Sequence, residues 1–250
     1  MTSPSTDTAP PTPVTQPLWD APVRLLHALM VLSVAGAWLT AEAEGWRALH
    51  ISFGLTLAGA MVLRLLWGFI GTPPARFTSF VRGPAAVAAH LRELLAGRAG
   101  PHAGHNPAGG WAVLALLAAG LAAAASGWLA WRGGEVWEEV HEALANGLLL
   151  LAGVHVAAVL LMSRLARDRL VPAMLTGRKA VPAGTPPTRA MHRGVAAVLL
   201  VAMLGFWAWS LGPASPWRDA RFSTKAGWRC ARRRRRPRRW WPAWPAASTL

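Results

Sequence analysis

The stretch His141-Glu142-Ala143-Leu144-Ala145-Asn146-Gly147-Leu148-Leu149-Leu150-Leu151-Ala152-Gly153-Val154-His155 decides the reading of this chain. It sits in an apolar run, Trp137–Ser163, long enough to cross a bilayer, which takes about 20 residues. Imidazoles are costly in hydrocarbon and need a reason to be there. The two are 14 residues apart, just under four turns at about 100° per residue, so both leave one side of the helix. They stand roughly 21 Å apart along its axis, one towards each membrane face.

Working outward, four further stretches are long and apolar enough to span: Pro22–Thr40, Leu49–Ile70, Trp111–Trp131 and Met191–Leu211. The first two bring His27 and His50, while the third and, beyond Arg193 at its start, the last carry no internal charge. Composition agrees. The chain is 53% hydrophobic and 15% charged, where a soluble chain averages about 25% charged. Mean hydropathy is +0.30. There are 15 Trp and no Tyr, and Trp rings favour the membrane–water boundary.

The loops set an orientation. Thr72–Gly110 holds Arg76, Arg82, Arg92 and Arg98 against one Glu, and Arg164–Arg193 holds seven basic residues against one Asp. The other two loops are acidic, through Glu42 and Glu44, then Glu135, Glu138 and Glu139. The positive-inside rule therefore predicts a cytoplasmic N-terminus. Within the first basic loop, Pro84–Leu95 has apolar residues at helical spacing and predicts a short helix on the inner surface.

Ranked by depth, His27 and His155 share the inner half of the membrane, and His50 and His141 the outer half. Two histidines on facing helices supply the two axial nitrogens of a six-coordinate haem iron. The expected fold is all-α: a four-helix transmembrane bundle binding two haems, with a fifth C-terminal transmembrane helix. One tetrahedral zinc centre does not suit pairs so far apart. The lone Cys230 rules out an internal disulfide and a Cys-x-x-Cys-His attachment, so any haem is held non-covalently. Arg24 and Arg47 each stand one turn before a histidine. Each is read either as a haem-propionate partner or as a boundary charge reaching the headgroups, and Arg64 likewise. Gly36, Gly54, Gly59, Gly120, Gly127, Gly147 and Gly153 admit either a flat macrocycle or close helix packing. His90, His102 and His105 are expected in solvent, and His192 at the interface.

The segment Trp19-Asp20-Ala21-Pro22-Val23-Arg24-Leu25-Leu26-His27 resembles the opening motif of the bacterial cytochrome b-561 and nickel–iron hydrogenase b-type cytochrome superfamily. Arg47-Ala48-Leu49-His50, Arg64-Leu65-Leu66-Trp67-Gly68-Phe69, Ala75-Arg76-Phe77, Gly104-His105-Asn106-Pro107, the pair His141 and His155, and Leu175-Thr176-Gly177-Arg178-Lys179 extend the likeness over about Trp19 to Val181. The resemblance implies two haem b groups, His27 with His155 and His50 with His141. It also implies quinone-linked electron transfer in the bacterial inner membrane, serving a periplasmic c-type cytochrome, a hydrogenase or another dehydrogenase. Such a chain is an electron-transfer subunit rather than a stand-alone enzyme.

The expected organisation is a disordered lead over 1–18, the di-haem unit over 19–182, a linker and fifth helix over 183–213, and a basic low-complexity tail over 214–250. That tail carries 11 Lys+Arg and one acid from Arg218 onward, most of the net +15. Its Arg232–Arg239 run suits phosphate surfaces, but no specific nucleic-acid partner is expected; membrane lipid is. The competing function is a haem-free, proton-coupled transporter using intramembrane His. It needs polar partners deep in the spans, where only Ser126, Asn146 and a few hydroxyls are available. Colourless protein with substrate flux would favour it.

Overall fold

A computed structural model describes residues 13–42, 45–98, 104–133, 135–165 and 168–217. Most of the expected lead, the acidic-loop residue Glu44, His102, Arg167, and the Arg-rich tail with Cys230 lie outside the described residues, as does the side chain of Glu135.

Five helices are long and apolar enough to cross a membrane: α1 (Ala21–Thr40), α2 (Arg47–Ile70), α5 (Pro107–Arg132), α6 (Glu135–Leu165) and α8 (Arg193–Leu211). They are the five spans the apolar runs predict. Between them lie α3 (Phe77–Phe80), α4 (Pro84–Leu95) and α7 (Leu170–Thr176). Helix α4 coincides with the predicted short helix. The packing order is α1 on α2, α2 on α5 and α5 on α6, with α8 against α1 and α2. Leu57, Met61, Leu117, Ala123 and Leu148 form the core between α2, α5 and α6.

Local chemistry fixes the helix starts. Asp20 caps α1, its Oδ1 accepting from Val23 N at 2.9 Å, with Pro22 in the first turn. Proline suits that position because its missing N–H has no partner there anyway. Asn106 caps α5 in the same way, accepting from Gly109 N at 2.7 Å, with Pro107 in the first turn.

Asp20 does more than cap. Its Oδ2 accepts from Trp67 Nε1 at 3.0 Å and from Thr72 Oγ1 at 2.6 Å, and the residue is fully buried. The start of α1 is thereby tied to the end of α2. Asp20→Ala strands three donors, two of them side chains. At 1–3 kcal/mol for a buried unsatisfied group, it should lower stability by about 3 kcal/mol, read from thermal unfolding in detergent. Asp20→Asn, which keeps one acceptor oxygen but turns an NH2 towards the donors on the other side, should lose less.

The structure departs from the expected lead. Val14–Pro17 forms a strand, β1, antiparallel to β2 (Arg178–Val181), with Val14 opposite Val181 and Pro17 opposite Arg178. Leu18, Trp19, Val23, Ala75, Ala173 and Val181 bury against one another beneath this ribbon. The segment after β1 is tied down where Gly177 O accepts from Leu18 N and Trp19 N at 2.8 and 3.1 Å. Gly177 ends α7 at φ +79°, and a Cβ there would meet Trp19 O at 2.9 Å. Glycine alone meets both demands comfortably.

A buried ion pair holds this end together. Lys179 Nζ lies 2.9 Å from Asp168 Oδ2, with exposures of 2% and 8%, and Nζ also donates to Gly104 O at 3.1 Å. Breaking one side of a buried pair costs about 3–5 kcal/mol because the other charge is left behind. Lys179→Met should therefore destabilise by about that much. The double variant with Asp168→Leu should recover part of the loss, as unfolding midpoints in detergent would show.

Helix α8 is bound to α2 by polar contacts as well as packing. Ser210 and Ser52 share a buried hydroxyl hydrogen bond, and Trp207 Nε1 donates to Thr56 Oγ1 at 3.0 Å. Phe53 and Trp207 meet edge to face at 4.7 Å. At the same end Trp128, Trp131, Trp209 and Trp217 form a chain of ring contacts, the composition of a membrane-interface belt.

Candidate functional site

The bundle brings His50 of α2 and His141 of α6 together. Their ring centroids are 6.0 Å apart, with planes crossed at 85°. Each ring is pinned from behind. His50 Nδ1 lies 2.8 Å from Ala37 O of α1, and His141 Nδ1 lies 2.9 Å from Ala123 O of α5. Ser126 Oγ stands 3.3 Å from the same His141 nitrogen. A neutral imidazole donating from Nδ1 to a carbonyl keeps its Nε2 lone pair for a metal, and the bond fixes the ring's orientation. All four elements of the bundle contribute: two carry the rings and two supply the carbonyls.

Gly127 completes this outer site. A Cβ on it would stand 2.9 Å from His141 Cε1 and 3.1 Å from Nδ1. The glycine therefore makes room for the ligand ring itself. Gly36 receives the ring of Phe53, and Gly120 the end of Met61, which is close packing. Gly54, Gly59, Gly147 and Gly153 meet nothing within 4 Å.

At the other end His27 of α1 and His155 of α6 lie within electrostatic reach of one another. Both are partly buried. Among the described residues α1 and α6 make no substantial packing contact.

The two arginines expected near the rings differ. Arg24 turns away from the bundle, donating from Nε to Met174 O at 3.2 Å and from Nη2 to Leu175 O. It binds the last carbonyls of α7, where a cation is favoured by the helix dipole. Arg47 stays by His50 and bears on it electrostatically.

Two loop histidines expected in solvent are not there. His90 is 3% exposed against the bundle. His105 packs between Trp19 and Phe80, at ring distances of 4.9 and 4.5 Å, and its Nδ1 is shut off from solvent. Desolvation, then the Arg64 and Lys179 cations, push its pKa down to about 3, so the ring is neutral at pH 7. The signal was the Asn106-Pro107 helix start, which pins the preceding residue against the bundle. His192 is exposed and meets Trp67 edge to face at 5.3 Å.

The segments that meet here are the ones that carry the sequence likeness. Trp19 meets His105, Asp20 meets Trp67, and Gly68 lies flat against Phe77. The profile of the family described as prokaryotic cytochrome b561 matches residues 18–177. The chain belongs to this family. No curated protein and no solved structure matches it. A prokaryotic cytochrome b561 is a multi-pass membrane b-type cytochrome of electron transfer, and membership implies haem b. The match takes in all four histidines of the two pairs and His105, and it ends at Gly177, before the cytochrome's α8 begins.

Proposed function

We propose that this cytochrome holds two haem b groups, the outer by His50 and His141 and the inner by His27 and His155, and relays electrons between quinone and a partner redox protein. The observation that carries the reading is the His50–His141 pair. Two metal–imidazole bonds of about 2 Å each, plus the half-widths of two rings, come to about 6 Å, and the centroids stand 6.0 Å apart. Both second nitrogens are already committed to backbone carbonyls, the arrangement found behind metal-bound histidines.

Bound haem supplies a one-electron couple. The protein's part is to fix the ligand rings, exclude water and set the local charge. Ala37, Ala123 and Ser126 hold the outer rings, and the apolar spans keep the site dry. The spacing of His141 and His155 along α6 stacks the two sites through the membrane. The N-terminus is cytoplasmic in this reading, from the basic loops. The partner is a c-type cytochrome, a hydrogenase or another dehydrogenase, and the di-haem unit covers 19–182.

The test is haem content of the purified chain by pyridine haemochrome, with a dithionite-reduced minus oxidised spectrum. About two haem b per chain and low-spin bis-imidazole bands are expected. Colourless protein would overturn the reading.

A further inference from the structure

Helix α2 carries Arg64 14 residues beyond His50, the same interval that separates His141 from His155 on α6. At about 1.5 Å per residue Arg64 stands roughly 21 Å inward of the outer pair, level with the inner one. The residue is 4% exposed. Its Nη2 donates to Ala75 O at 3.2 Å, and its guanidinium lies over the Phe77 ring at 5.4 Å. Its Nη1 is buried with no hydrogen-bond partner. Asp20 is a carboxylate that bears on Arg64 electrostatically, but its hydrogen bonds are to Val23, Trp67 and Thr72 and none reaches Nη1.

A second buried nitrogen without a partner lies close by. Phe77 meets Phe80 edge to face, and Phe80 meets His105 at a tilt, so the Arg64 guanidinium and the His105 ring share one aromatic wall. His105 Nδ1 is also shut off and without a partner. His105 feels Arg64, Lys179, His155 and His27 electrostatically, which sets it at the inner end of the bundle with that pair.

A buried guanidinium stays charged and calls for an anion. A neutral carbonyl satisfies an N–H but leaves the charge, whereas a carboxylate satisfies both. We propose that Arg64 and His105 form a carboxylate site that takes a propionate of the inner haem, Arg64 through Nη1 as the cation and His105 through Nδ1 as a neutral donor. The proposal rests on the two-haem reading and adds to it what anchors and tunes the inner group. Arg24, which binds α7, has no part in it.

The experiment uses the full-length His50→Ala protein, in which only the inner haem remains, and reads its midpoint by redox titration. Arg64 offsets the propionate's negative charge, which otherwise favours ferric iron. Arg64→Gln should raise the oxidised-to-reduced ratio at fixed potential about tenfold, a fall of 59 mV for a one-electron couple. Arg64→Lys, which keeps the charge, should shift the ratio by less than threefold, and His105→Phe should shift it in the direction of Arg64→Gln. An unchanged midpoint in Arg64→Gln with haem retained, or equal falls in the Gln and Lys variants, would overturn the site. If Arg64→Gln does not accumulate, His50→Ala apoprotein is reconstituted with haem b or its dimethyl ester. Binding of the ester at least tenfold weaker supports the carboxylate site, and equal binding overturns it. Full-length wild-type protein without haem would remove the two-haem reading and this proposal together, whereas two haems with an unmoved midpoint would remove this proposal alone.

Discussion

Replacing His141 with alanine should take the haem content from about two per chain to about one, and the haem that stays should be the inner one. The ring contributes an iron ligand that a methyl group does not replace. Its loss also frees the Ala123 carbonyl that held it at 2.9 Å. The inner pair lies roughly 21 Å away along α6, too far to share the damage directly. His155→Ala should give the complementary species, with the outer haem alone. The two variants should differ in midpoint potential and in the position of the reduced α-band. Pyridine haemochrome counts the haems, and a redox titration tells which one is left. Loss of both haems in either variant would point to a shared site or to a collapsed bundle, which circular dichroism separates.

The second large effect comes from a residue with no side chain. Gly127→Val should weaken haem binding at the outer site while leaving both ligand residues in place. The first added carbon alone would stand 2.9 Å from the His141 ring. That ring cannot swing aside without giving up its bond to Ala123 O. Overpacking of this kind costs about 1–3 kcal/mol, and each 1.4 kcal/mol is a tenfold change in binding. Outer-haem affinity should therefore fall about five- to 150-fold, with the inner haem retained. Gly205→Ala on α8, where an added Cβ meets nothing within 4 Å, should leave both haems in place. Haem-to-protein ratios of the two variants, purified side by side, check this.

How much of this was legible in the sequence depends on the range of the interaction. The five spans were legible because bilayer crossing imposes length and apolarity residue by residue. The histidine pairs were legible because the 14-residue interval on one helix fixes a common face. The carbonyls behind the rings were not, since Ala37 and Ala123 carry no mark in the sequence of the backbone bond they accept. The ribbon of β1 and β2 was missed for a related reason. Its strands are four residues each and flank the matched region on either side, and Gln16 finds Thr185 across 169 positions. No local pattern announces such a pairing.

Charged residues were the hardest to place. Arg24 and Arg47 occupy equivalent positions before a histidine, yet Arg24 is drawn off by the open carbonyls of α7. Arg64, read either as a boundary charge or as a haem-propionate partner, is among the most buried cations described. Lys179 and Asp168, ordinary members of a basic loop in sequence, bury as a pair because each neutralises the other. For Arg24 and Arg64 the deciding partner is backbone that any residue could have supplied, and for Lys179 it is a side chain of the same loop.

The most direct measurement is anomalous scattering at the iron absorption edge from crystals of the purified protein. Two iron peaks are predicted, one between His50 and His141 and one between His27 and His155, roughly 21 Å apart along the bundle. A single peak, or iron anywhere other than between these rings, would contradict the assignment of the four histidines.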